Sequence, residues 1–167
     1  MLIPVGLLFL FTYLPFFKMI EFSFYDMKYI GERKWVGLQN YIDVFTRKDC
    51  FDALKLSLYH MTGSVIQLAL AILFAVLLTR NITFPSIRTI IILNLILAVS
   101  GSLSAFEMPY VITGGGFGTS TYFVLMDHLA HTNQKVGLAS AMSVVLLTLI
   151  LLVTGIQKLV EKKLDER

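Results

Sequence analysis

Four uncharged, strongly apolar stretches punctuate the 167-residue chain, and they constrain its fold more than any other feature. Leu56 to Thr79 holds 24 residues with no formal charge apart from a titratable His60. Thr89 to Phe106 holds 18 such residues and Val136 to Gln157 holds 22. A spanning helix needs about 20 residues at about 1.5 Å of rise each. Met1 to Phe17 is also uncharged, and apolar character continues to Phe24 past Lys18 and Glu21. Those two charges lie i,i+3, a spacing that allows them to pair on one helix face.

Composition agrees. Charged residues make up 15% of the chain, against roughly a quarter in an ordinary soluble domain. Mean hydropathy is +0.75. The reading is an all-α, polytopic membrane helical bundle in a single domain, residues 1–167, with about four transmembrane helices. The expected spans are 2–24, 56–79, 89–106 and 136–157, with external segments 25–55 and 107–135. The first stretch has no basic flank and no small-residue cleavage site before Lys18, so a spanning segment is expected there rather than a signal peptide.

The net charge of +3 comes from basic residues that are scattered or flank the spans. Membrane lipid headgroups, not nucleic acid, are the expected partner. Charge does not fix orientation, because basic residues fall on both sides of the spans. The tail Lys158–Arg167 is the densest basic cluster and is placed inside. The single Cys50 excludes an internal disulfide. His128 and His131, with only Asp127 beside them, make a poor metal site.

Within 25–55, Leu38, Tyr41, Ile42 and Phe45 fall at i, i+3, i+4 and i+7, the spacing of a short amphipathic helix. Such a helix is suited to the bilayer interface, with Trp35 and Tyr41 as headgroup anchors. Asp49 and Asp52 read as a cap and a first-turn acid for the next helix. Thr83-Phe84-Pro85 resembles another helix start, after a tight hairpin around Arg80-Asn81.

Two blocks resemble the permease subunits of bacterial ABC sugar importers, the type with a maltose-transporter-like fold. The first runs from Ile3 to about Arg80. It carries Trp35-Val-Gly-Leu-Gln-Asn-Tyr-Ile-Asp-Val-Phe and Phe51-Asp-Ala-Leu-Lys-Leu-Ser-Leu. The second runs from Ile82 to about Lys163. It carries Thr83-Phe-Pro, the run Ser104-Ala-Phe-Glu-Met-Pro-Tyr-Val-Ile-Thr-Gly-Gly-Gly-Phe-Gly, and Gly137-Leu-Ala-Ser-Ala-Met-Ser. Family members carry two further spans between such blocks and a cytoplasmic Glu-Ala-Ala loop that docks onto the ATPase. No Glu-Ala-Ala occurs here, and the junction falls near Asn81-Ile82.

The resemblance implies a permease subunit of a binding-protein-dependent carbohydrate importer in the bacterial inner membrane. Its implied partners are a second permease subunit, ATP-binding subunits and an extracytoplasmic sugar-binding protein. ATP would be used by a partner, and this chain would be neither an enzyme nor the holder of a cofactor. The alternative is a truncated, transport-incompetent membrane protein with a structural or assembly role.

In the family, the region matching Ser100 to Glu107 borders the translocation path. Ser100, Ser104, Phe106, Glu107 and Tyr110 are therefore the substrate-path candidates: hydroxyls to hydrogen-bond a sugar, aromatic faces to stack on it. Ser102 and Gly101 lie among them and also suit helix packing. His60 and Gln67 are the polar groups within the second span and mark either a path or an interhelical hydrogen bond. Gly114, Gly115 and Gly116 form the external loop, where glycine suits a helix C-cap or a close approach to the path or binding protein.

Overall fold

The computed structural model describes residues 6–78, 94–99, 101–103 and 105–165. The protein is an all-α, multi-pass membrane protein. Among the described residues, three helical stretches are long and apolar enough to cross a bilayer: Lys48–Leu73, Asn94–Thr113 and Val136–Leu159. The first apolar stretch is helical from residue 6, as a π-helical turn Phe9–Tyr13 followed by α1 (Leu14–Phe22). Pro15 offers no N–H to the carbonyl of Phe11. The backbone passes this gap by widening the preceding turn, and the Leu14 N–H bonds to Phe9. Lys18 Nζ donates to Glu21 Oε2 at 2.7 Å, the pairing expected from their spacing.

After α1 come a two-stranded antiparallel ribbon, β1 (Tyr25–Asp26) with β2 (Lys34–Trp35), and then α2 (Gln39–Thr46). Next is α3 (Lys48–Leu78). The helical residues 94–99 and 101–103 are called α4 here. They are followed by α5 (Glu107–Thr113), α6 (Tyr122–Asp127), a π-helical turn His128–Thr132, and α7 (Val136–Asp165). The Arg80-Asn81 hairpin, the Asn81-Ile82 junction and the Thr83-Phe84-Pro85 helix start lie outside the described residues.

The chain divides into two compact units. One comprises residues 1–52 and 125–147, the other 53–124 and 148–167. In the first unit, Ser23 ends α1 fully buried and donates its hydroxyl to the carbonyl of Ile20. The hydroxyl of Tyr41 lies 2.8 Å from the same Ser23 oxygen. Asn40, buried on the inner face of α2, donates its amide to the carbonyls of Ser23 (2.8 Å) and Tyr25 (3.0 Å). Phe24 stacks on Trp35 with ring centres 5.6 Å apart, and Tyr25 meets Trp35 edge-on.

The start of α7 docks on this ribbon. Val136 donates its N–H to the carbonyl of Met27, and a β-carbon on Gly137 would stand 1.8 Å from the Tyr25 carbonyl oxygen. Leu138, Ala139, Ala141 and Met142 follow as buried core. Cys50 is buried and free, its sulfur 4.0 Å from that of Met142.

Two local expectations are corrected. Tyr41 does not serve as a headgroup anchor, because its hydroxyl is turned inward onto Ser23. Asp49 is not the cap of α3 but lies inside its first turn, accepting the Cys50 N–H at 3.0 Å and a two-point ion pair from Arg47. That bonded carboxylate raises the pKa of the Arg47 guanidinium above its already high ordinary value.

A polar groove between two apolar helices

The second unit contains α4, α5, most of α3, the start of α6 as far as Val124, and the end of α7 from Thr148. The face of α3 that enters this unit reads Ala53, Ser57, His60, Ser64, Gln67, Leu68, Ala71, a stripe at helical spacing. Its first half is structural. Ala53 and Ser57 are buried, and the Ser57 hydroxyl accepts the N–H of Tyr122 at 3.0 Å. One orphan donor at the start of α6 is thereby satisfied from another helix. Thr121 anchors the same end, donating its hydroxyl to the carbonyl of Ala105 at 2.6 Å.

Further along, the stripe opens into a groove of about 520 Å³. His60, Ser64 and Gln67 line it from α3; Asn94, Gly101 and Ser102 line it from α4. Leucine and alanine side chains complete the walls. Between the two helices, the hydroxyls of Ser64 and Ser102 hydrogen-bond to each other. Ser102 also donates to the carbonyl of Ala98 within its own turn. Gly101 keeps its side of the groove open, since a β-carbon there would meet nothing within 4 Å.

Groups of this kind are costly inside a bilayer and face protein or a water-filled path. The groove has the size of a small-molecule site, ordinarily about 300–1,000 Å³. Among the described residues, its lining offers neutral donors and acceptors and, apart from the titratable His60, no ionisable side chain. Such a lining suits a polyhydroxylated or otherwise neutral polar solute. Among the described residues there is no cluster of three His, Cys, Asp or Glu suited to a metal ion.

Phe106, Glu107 and Tyr110, expected on the substrate path, are not among the residues that line this groove. Ser100 and Ser104 fall outside the described residues. Phe106 stacks on Tyr110, ring centres 4.6 Å apart, and meets Phe123 edge-on at 5.3 Å. One face of each of the two stacked rings is thus taken up by the other, while Tyr110 stays 42% exposed. Glu107 is exposed in the first turn of α5.

Gly114 takes the left-handed conformation (φ 58°) that caps α5, with its N–H bonded to Tyr110 and that of Gly115 to Pro109. These bonds satisfy carbonyls at the helix end. At Gly115 (φ 77°) a β-carbon would lie 2.7 Å from Val124 Cγ1, so the loop folds back tightly onto α6. Gly116 is followed by Phe117, which is 99% exposed at the loop tip.

Of the groove residues, sequence reading singled out His60 and Gln67 and noted Gly101 and Ser102 as suited to a path or to helix packing. It missed Ser64 and Asn94. The available signal was periodicity: His60, Ser64 and Gln67 recur at i, i+4, i+7, and Asn94 and Ser102 lie two turns apart.

No family model matches the chain. It is similar to the sulfoquinovosyl glycerol transport system permease protein SmoG of Agrobacterium fabrum, with 37% identity over 80 residues. That match covers 46% of this chain and spans about a quarter of the relative's length (25%). The relative is a transport protein by name, in line with a chain for which no catalytic role was expected.

Proposed function

We propose that this chain is a permease component of a binding-protein-dependent ABC importer in a bacterial inner membrane, and that its α3–α4 groove forms part of the path for a carbohydrate. The observation that carries the reading is the groove itself. His60, Ser64, Gln67, Asn94 and Ser102 converge from two apolar, membrane-capable helices. The similarity to the SmoG permease supports the class of transporter, and that protein's name supports a sugar-like cargo. The chain would act with a second permease subunit, ATP-binding subunits and an external binding protein, with ATP consumed by the partner.

The test is transport by the complex purified from its native membrane and reconstituted in liposomes. ATP-dependent uptake of a sugar or glycoside from a labelled panel supports the reading, provided that Gln67→Leu abolishes uptake while the complex stays assembled. A complex of native mass and subunit composition that takes up none of the panel would favour the alternative of a structural or assembly role.

A further inference from the structure

Among the described residues, unit one carries an exposed apolar face. On α2, Asn40 and Val44 point inward and are buried, whereas Leu38 (just before the helix), Ile42 and Phe45 are exposed by 63%, 53% and 71%. Trp35, held between Phe24 and Tyr25, is 62% exposed, and Ile30 is 91% exposed. In a soluble protein, so many large apolar side chains on one short segment would mark a partner surface. Chain connectivity here specifies the partner.

Only Arg47 separates the end of α2 at Thr46 from Lys48, the first residue of a 26-residue candidate span. Two steps of about 3.8 Å keep the last residue of α2 within roughly 8 Å of that span. At about 1.5 Å per residue the span is about 39 Å long, more than the ~30 Å hydrocarbon core of a bilayer. Its first residues therefore stand at headgroup level, where Lys48 and the ion-paired Arg47 and Asp49 are stable. Upstream, α1 also exposes large apolar side chains, Leu14 and Phe17 among them.

We infer that Trp35 and α2 form an interfacial platform, seated on the bilayer at the junction of headgroups and acyl chains, with Trp35, Leu38, Ile42 and Phe45 as its lipid contacts. Amphipathic helices and tryptophans occupy this layer because one side is apolar and the other wet. The platform fixes the height of the first unit relative to the membrane.

Trp35 is the one tryptophan of the sequence, so the wild-type protein carries its own probe. In nanodiscs, lipids brominated near the headgroup end of the acyl chain should quench its fluorescence at least twice as strongly as lipids brominated near the chain end. A Trp35→Phe/Phe45→Trp variant, which moves the probe to an exposed position on α2, should show the same order. Equal or absent quenching by the two lipids would overturn the inference. So would a Trp35 shielded from both bromolipids and aqueous acrylamide, which would place a protein partner on this face.

Discussion

The carbonyl oxygen of Tyr25 lies where the β-carbon of any residue but glycine would sit at position 137, only 1.8 Å from an ideal Cβ built on Gly137. Two segments 112 positions apart in sequence thus meet backbone to backbone. The same carbonyl accepts from Asn40, so one oxygen is the meeting point of β1, α2 and α7.

Gly137→Ala should therefore be severely destabilising. The neighbour is backbone rather than a flexible side chain, so the ribbon or the helix start must move. Overpacking typically costs about 1–3 kcal/mol, and a contact this short falls at or above the top of that range. Thermal unfolding in detergent, followed by Trp35 fluorescence, should show a large fall in Tm. Gly155→Ala, where no atom lies within 4 Å, should leave it unchanged or slightly raised.

Asn40→Asp should be worse than Asn40→Ala. The alanine variant removes the donor to two carbonyls, a loss of about 1–3 kcal/mol for buried polar groups left unpaired. The aspartate variant replaces the donor by an ionised acceptor facing the same two oxygens. The order of midpoints, wild type above alanine above aspartate, checks this. Equal midpoints for the two variants would contradict it.

Adjacent glycines in the α5 loop should respond differently. Gly114 needs a left-handed backbone but has open space around it, and asparagine tolerates that conformation. Gly114→Asn should cost well under about 1 kcal/mol. Gly115→Ala adds a clash with Val124 to the backbone strain and should cost roughly 2 kcal/mol or more. Equilibrium unfolding of the two variants measures the difference.

Much of the fold is legible from local pattern, because spans, i,i+3 ion pairs and helix caps depend on residues close in sequence. Charge-free runs mark membrane-capable helices, the Lys18–Glu21 pair forms at its predicted spacing, and the glycines after Thr113 cap a helix. Periodicity correctly finds an amphipathic α2 but misjudges Tyr41, whose hydroxyl is claimed by Ser23 from 18 positions away. The groove was half visible for the same reason. His60 and Gln67 stand out as polar in an apolar run. Ser64 looks like an ordinary small packing residue until Ser102, 38 positions on, meets it. Phe106 and Tyr110 stack on each other at a spacing, i,i+4, that local reasoning can also read.

A groove that carries solute must be a water-accessible polar path rather than a lipid-facing seam. Gln67 lines the groove, whereas its neighbour Ile66 does not and is 62% exposed. Native Cys50 is buried and serves as an unreactive background. The decisive measurement compares labelling of Gln67→Cys and Ile66→Cys by a charged, membrane-impermeant thiol reagent in reconstituted membranes. The account predicts labelling of Gln67→Cys at least tenfold faster than that of Ile66→Cys. Equal, slow labelling at both positions would contradict it.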